Sequence, residues 1–354
     1  MDIALARVRE LIPTVANESR PSLMATLHGL AYSLETPDDT LHRYGAMNLQ
    51  TAGVKIGFDL ELFKFVSDRG EPTTVYEFSL STIVETALLG RILKYLAAIG
   101  VIDETHHDQY AANHLTKNLS KKVTEAGISH YFSTVAPQYQ VLPDFLKRTG
   151  YQTPTDGLHT RTRRIWPTST TSWLPVYPVE DQVRPWDPEK PVYVNIGGGV
   201  GHQCAQFLEK YPQVPGRVIL QDLPHSIDKA LPTPRVENLA HDFFNPQPIE
   251  GANFYYLRGV LHNHPPDRVR MLLENMKKAM RQDSILLLDE MILPDTKANV
   301  DAVSMDITML SAFAGMERTE GQWRTLIENI GLKIVNIYIY NSVSHESVID
   351  VRLP

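Results

Sequence analysis

Apolar residues recur at helical spacing through the first part of the chain, as in Leu5, Val8, Leu11, Ile12 and Val15, and this pattern covers residues 1–35 and 40–68. Within Glu71–Glu104, Val84, Leu88, Leu89, Ile92, Leu93, Tyr95 and Leu96 form a further helical stripe that stops at Gly100. Val101-Ile102-Asp103 and Tyr110-Ala111 then read as a small two-stranded wing. Helix, turn, helix and wing make a winged helix-turn-helix pattern, and DNA binding is the first function it suggests. The second helix, however, presents Glu85, Leu88, Leu89, Arg91 and Lys94 instead of a basic face opened by Asn, Gln and Arg. A dimerisation or substrate-lid role fits better, with the helical N-terminus as the surface for a second copy of the chain.

The pattern changes after Val192 to short apolar runs alternating with amphipathic helices. The expected strands are 192–196, 217–221, 253–257, 284–290, 333–340 and 346–353, with helices near 202–211, 224–230, 266–281 and 320–330. That alternation predicts an α/β fold, a mostly parallel sheet covered on both faces. A short turn at 341–345 joins the last two strands, so the last strand is expected to run antiparallel. Between the zones, Pro154, Pro167, Pro175, Pro178, Pro185, Pro188 and Pro191 break any long helix. We therefore divide the chain into a helical, winged-helix dimerisation and lid domain (1–150), a linker (151–190) and a sheet domain (191–354). Arg161, Arg163 and Arg164 in the linker read as a solvated face or an anion site.

Composition narrows the function classes. The chain has 354 residues, 43% hydrophobic and 21% charged, enough to bury a sizeable core. Lys plus Arg number 34 against 41 Asp plus Glu, a net charge of −7 that disfavours nucleic acid and anionic membrane surfaces as partners. Cys204 is the single cysteine, so neither an intramolecular disulfide nor a thiolate zinc cage is available. The N-terminal segment carries Asp2, Arg7, Arg9 and Glu10, unlike a secretory signal, and no apolar run of about 18 residues is present for a membrane span. A cytoplasmic protein is expected.

The strongest local signal is Val194-Asn195-Ile196-Gly197-Gly198-Gly199-Val200-Gly201-His202, a glycine turn between an apolar strand and a helix. Gly197, Gly199 and Gly201 allow a tight bend and close approach of a ligand; a plain tight turn is the competing reading. The G-x-G-x-G spacing departs from the G-x-G-x-x-G dinucleotide fingerprint. Asp222 ends the next strand, 21 residues after Gly201, where an acid can accept hydrogen bonds from ribose hydroxyls or cap the following helix. Asp242 and Phe243 offer an acceptor and an aromatic wall for an adenine. His262 follows the strand end at 257 and precedes a proline-initiated helix, which makes it a candidate general base. Its ordinary pKa of about 6.5 would leave it neutral at pH 7. His264 reads as a capping or surface histidine. Glu290, at a strand end, and Glu317 are each placed to bond the second ring nitrogen of His262, or are ordinary solvated acids. No metal is expected, since the histidines and carboxylates lack a ligand spacing such as H-E-x-x-H.

Taken together, residues 45–354 resemble the class I S-adenosylmethionine-dependent O-methyltransferases of plant and fungal secondary metabolism, of the caffeate O-methyltransferase type. The resemblance rests on the winged-helix segment and on VNIGGGVGHQ, VILQDLP, HDFF, YLRGVLHNHPPDRV, LLLDEMILP and MERTEGQWRTLIENIGL. It implies a Rossmann-like catalytic domain, a small-molecule acceptor and a homodimer. It also implies S-adenosyl-L-methionine held by the Gly197–Gly201 turn, Asp222, Asp242 and Phe243, with His262 as base flanked by Glu290 and Glu317. Met305, Met309 and Phe313 fall where such enzymes line the acceptor pocket, or simply pack a core. Three departures stand out: Asn195 in place of an acid before the glycines, Asn263-His264 in place of Asp-Trp, and a short 159–172 stretch. A fungal subgroup of the family binds S-adenosylmethionine yet catalyses dehydration and pericyclic ring closure. Residues 127–156 are similar to it, and the resemblance makes His130 a polar catalytic histidine. His262 is retained here, where the best-known member of that subgroup carries arginine, and this favours methyl transfer.

Overall fold

The computed structural model describes residues 2–82, 84–152, 172–183, 189–294, 298, 300–342 and 344–354. The chain divides into two compact units, Met1–Pro137 and Gln138–Pro354. The first unit opens with helices Asp2–Leu11, Arg20–Tyr32, Pro37–Gly45, Met47–Asp59 and Leu62–Arg69. Its core gathers Phe58, Leu62, Phe63 and Val66 with Val75, Phe78, Leu89, Leu93 and Leu96. Those last residues belong to helices Val75–Ser81 and Thr86–Ala98. Glu85 caps the latter, its carboxylate accepting from the backbone N–H groups of Ala87 and Leu88 at 3.0 Å each. The wing holds three strands where two were expected: β1 (Thr73–Thr74), β2 (Asp103–His106) and β3 (Gln109–Ala111), antiparallel in the order β1-β3-β2. A two-residue strand carries no alternation that a sequence could show. Helices Arg20–Tyr32 and Pro37–Gly45 contain no buried residue, and Leu30, Leu34 and Leu41 stand exposed.

The second unit is built on β4 (Pro191–Ile196), β5 (Arg217–Asp222), β6 (Val236–Ala240), β7 (Phe254–Arg258), β8 (Ile285–Leu293), β10 (Lys333–Asn341) and β11 (Glu346–Arg352). Their order is β10-β11-β8-β7-β4-β5-β6, and the short β9 (Arg318–Thr319) pairs with β8. β4 to β8 run parallel, whereas β11 lies antiparallel to both β8 and β10. The chain therefore winds one way from β4 through β5 to β6 and the other way from β7 to β8. Such a reversal opens a crevice at the carboxyl ends of β4 and β7, where loops reach a ligand without crossing the sheet.

One sheet face packs on Val269, Leu272, Leu273 and Met276 of helix Pro266–Ala279 and on Trp323 and Ile327 of helix Glu320–Asn329. The other packs on Cys204, Phe207 and Leu208 of helix His202–Lys210 and on Trp173, Leu174, Tyr177 and Val179. Residues 172–183, read from the sequence as linker, thus form part of the second unit's core. Trp173 stacks on Tyr256 with ring centroids 5.0 Å apart, because its neighbouring prolines break a helix without preventing burial of the aromatic residues between them. The cluster Arg161, Arg163 and Arg164, the prolines at 154, 167, 185 and 188, and the stretch 159–172 apart from Ser172 lie outside the described residues. Elements not expected include β6, a sheet edge with polar positions, the two-residue β9, the short helix Val179–Gln182 and helix Val300–Phe313. The helix expected at 224–230 is short, Pro224–Ile227. No described helix is long and apolar enough to cross a membrane.

Candidate active site

β4 delivers the glycine turn to the crevice. Gly197, Gly199 and Gly201 all have positive φ, at 66°, 61° and 94°, and Gly201 starts helix His202–Lys210. A Cβ at Gly198 would lie 2.4 Å from Asn195 Nδ2 and 2.6 Å from Leu220 Cδ1, so the inner side of the turn is full. At Gly199 a Cβ would meet nothing within 4 Å, so the outer side is open. Asp222 braces the bend: its Oδ2 accepts from Gly199 N at 2.8 Å and its Oδ1 from Leu223 N at 2.7 Å. The departure Asn195 is buried beneath the turn, and its Nδ2 makes no hydrogen bond among the described residues.

Phe243 reaches the same turn, its Cε1 3.4 Å from where a Gly197 Cβ would sit. Asp242 accepts from Phe244 N at 3.0 Å, fixing the two aromatic residues after β6. His264 differs from its sequence reading as a cap or surface group. It is edge-on to Phe243 and Phe244, with centroids 5.6 and 5.1 Å away. Burial, and then the Arg268 guanidinium, push its pKa down to about 4, so it stays neutral. Of the six residues expected around a nucleoside, Asp222 thus touches Gly199 and Phe243 packs beside Gly197, with Asp242 next to it in the chain and Gly201 closing the turn.

His262 occupies a 3-10 turn, Leu261–Asn263, just after β7. Its Nδ1 lies 2.7 Å from Glu317 Oε1 and 3.8 Å from Glu290 Oε2. Glu290 is anchored through Oε1, which accepts from Val260 N at 3.1 Å and Leu261 N at 2.8 Å. Its Oε2 is buried without a hydrogen-bond donor. The ring's Nε2 makes no hydrogen bond among the described residues and looks toward Gly259, which has φ +56° and no Cβ to crowd it. Burial alone would lower the His262 pKa, but the Glu317 and Glu290 carboxylates outweigh it and push it up to about 9. This corrects the expectation of a neutral imidazole at pH 7. Burial raises Glu290 to about 7, against the pull of His262.

Two further groups complete the cluster and had no signal in the sequence. Asp306, on helix Val300–Phe313, accepts from Glu317 N at 2.9 Å through Oδ1. Arg318 is buried beside the cluster, with its guanidinium 5.2 Å from the Trp323 ring. Met305, Met309 and Phe313 follow one another at four-residue spacing on the Asp306 helix, Met309 buried and the other two half-buried. Thr308 of that helix bonds Tyr139 of helix Ala136–Arg148 at 2.6 Å. His130 belongs to the first unit, where it is half-buried at the end of helix Lys122–His130, just before a π-helical turn, Tyr131–Val135.

A profile of the O-methyltransferase domain matches residues 189–333, which contain the glycine turn, His262, Glu290 and Glu317. The O-methyltransferase ucdC of Aspergillus ustus is 35% identical over 378 residues, covering 99% of this chain and 98% of that protein. The chain belongs to the O-methyltransferase family. Two solved structures share its whole length. One is described as a pericyclic reaction enzyme, with 31% identity, a TM-score of 0.88, and coverage of 100% of this chain and 99% of that one. The other is LepI in complex with S-adenosylmethionine, with 32% identity, a TM-score of 0.88, and coverage of 100% and 98%.

Proposed function

We propose that this S-adenosylmethionine-dependent O-methyltransferase acts on a hydroxyl of a small secondary metabolite, a polyketide or polyketide–amino acid hybrid, through His262. The observation that carries this is the pairing of His262 Nδ1 with Glu317 at 2.7 Å, which leaves Nε2 as the ring atom that meets an acceptor oxygen. Glu317 fixes the ring's orientation through Nδ1, and Glu290 lies behind the ring at 3.8 Å from the same nitrogen. Gly197, Gly199, Gly201, Asp222, Asp242 and Phe243 would hold the donor. The open side of Gly199, where a Cβ would meet nothing within 4 Å, supports room for a ligand at the turn, and the Phe243 ring beside Gly197 offers it an apolar surface. When bound, S-adenosylmethionine supplies an electrophilic methyl group. The chain's own contribution is to align the acceptor oxygen, hold the proton shared between that oxygen and Nε2, and support the resulting charge. Met305, Met309 and Phe313 would line the acceptor side. Formation of S-adenosylhomocysteine with a panel of hydroxylated polyketides tests the reading, and His262→Ala should lower that rate by about 10²–10⁴-fold.

The likeness to a pericyclic reaction enzyme favours a second reading, dehydration or ring closure with the donor unconsumed and His130 in a polar catalytic role. Product without S-adenosylhomocysteine, and a greater loss in His130→Ala than in His262→Ala, would select it. We also propose a homodimer formed through the first unit. Its second and third helices, of 13 and 9 residues, bury nothing of their own, and helices this short are marginal without a packing partner. Sedimentation of the purified chain would show a two-fold mass or refute this. The single free thiol, Cys204, supports a location in the reducing cytoplasm.

A further inference from the structure

We propose that the acceptor is an acidic hydroxyl, an enol or an acidified phenol, taken up as its oxyanion and paired with His262 as an imidazolium. This rests on the O-methyl transfer reading above and deepens it. Four ionisable groups act on His262: Glu290 from β8, Glu317 from the segment entering β9, Arg318 from β9 and His264 from its own loop; Asp306, on helix Val300–Phe313, stands behind Glu317. The Glu290 and Glu317 side chains are almost wholly out of solvent, and Glu290 Oε2 has no hydrogen-bond donor among the described residues. A buried carboxylate in that position needs a cation close by. Arg318 supplies field but no contact, since its Nη1 bonds only the Leu261 and Met316 carbonyls at 3.4 and 3.3 Å, and its Nη2 bonds nothing among the described residues. The imidazole, 2.7 and 3.8 Å from the two carboxylates, is the group placed to be their cation. The upward displacement of its pKa to about 9 agrees with this.

An imidazolium has both ring nitrogens protonated, so Nε2 arrives at the acceptor as a donor. It cannot take a proton from a hydroxyl in that state, but it can hold an oxyanion. The group transfer balances without it: the new O–CH3 bond forms as the S–CH3 bond breaks, and the bonding pair stays on sulfur. The negative acceptor and the positive donor become a neutral ether and a neutral thioether. No proton leaves, and His262 ends as it began. Aliphatic alcohols, which stay protonated beside an imidazolium, would be inert.

Titration of the whole protein against 4-nitrophenol tests the charge state, at a pH where the free probe is mostly protonated. The expected result is a saturable phenolate absorbance band that is lost in His262→Gln and weakened in Glu317→Gln, with thermal melts showing both variants folded. A probe that keeps its neutral spectrum at saturating protein, or a full phenolate band in folded His262→Gln, overturns the proposal. A second arm compares acceptors of one ring skeleton and graded acidity by S-adenosylhomocysteine formation. Equal rates across the series overturn the proposal and leave methyl transfer intact. Absence of S-adenosylhomocysteine with every acceptor removes the methyl-transfer reading, and the nitrophenolate band still decides the charge state.

Discussion

Gly315 lies directly against the carbonyl oxygen of His262: a Cβ at that glycine would sit 1.9 Å from the oxygen. The next residue, Met316, donates its N–H to the same carbonyl at 3.1 Å. The backbone before Glu317 therefore docks on the backbone of the histidine it orients, and the 2.7 Å side-chain pair inherits its geometry from that contact. Gly315→Ala should push the two segments apart. A displacement of about 1 Å can cost on the order of 10²-fold in rate. We expect a loss of that order in S-adenosylhomocysteine formation. Calorimetric titration with S-adenosylmethionine should be nearly unchanged, because the glycine turn is on β4.

The turn itself separates two kinds of substitution. Gly198→Ala forces a Cβ into Asn195 and Leu220, an overpacking that costs about 1–3 kcal/mol and should lower the melting temperature. Gly199→Ala adds a methyl group to open space, at the lesser cost of a left-handed backbone for alanine, and should act chiefly on donor affinity. Thermal melts and calorimetry on the pair check the division.

Stability should fall as pH rises above neutrality. The folded chain holds the His262 proton up to about 9, whereas the unfolded chain releases it near 6.5. This contribution is complete below about pH 6.5 and is lost as pH climbs through about 9. Glu290 acts in the same direction at lower pH, since its folded value of about 7 exceeds the ordinary 4.5. Melting temperatures across this range should decline in the wild type and decline less in His262→Gln.

Glu317→Gln removes the charge that contacts Nδ1 while keeping an oxygen to accept from it. The His262 titration should then move down toward the ordinary histidine range. Ring-proton NMR shifts followed against pH would report it, and a midpoint left in place would show that Glu317 is not the main support of the imidazolium.

Much of this arrangement was legible in the sequence, for identifiable reasons. The parallel strands read clearly because they are buried on both faces and run as unbroken apolar stretches, such as Leu286-Leu287-Leu288. β6 did not, because Glu237 and Asn238 leave an edge strand looking like a loop. Helix Val300–Phe313 hid behind an even spread of apolar residues with little amphipathic contrast. The glycine turn, Asp222 and His262 announce themselves by strand-end position. Glu290 and Glu317 as partners of one ring nitrogen stood beside the reading of two solvated acids until the family resemblance chose between them, since no periodicity links residues 28 and 55 positions beyond His262. Its protonation state was misread for the same reason: the charges that set it are distant in the chain. Asp306 and Arg318 carried no sequence signal, since the helix of one and the two-residue strand of the other show only once the chain is folded.

On β8, Asp289 and Glu290 are adjacent and both buried, so they point into opposite layers. Asp289 accepts from the Tyr256 and Tyr340 hydroxyls on one side, while Glu290 faces His262 on the other. Pairing of Glu290 with Ser347 and of Asp289 with Val348 sets this alignment. Adding one residue to the reverse bend ahead of β8 would carry Asp289 into the place of Glu290 and Leu288 into the place of Asp289. The imidazole would then confront an arm one methylene too short, and the two tyrosine hydroxyls an apolar side chain with nothing to accept from them. A single-codon insertion there should therefore silence the enzyme and strip its opposite layer of a buried acceptor in one step.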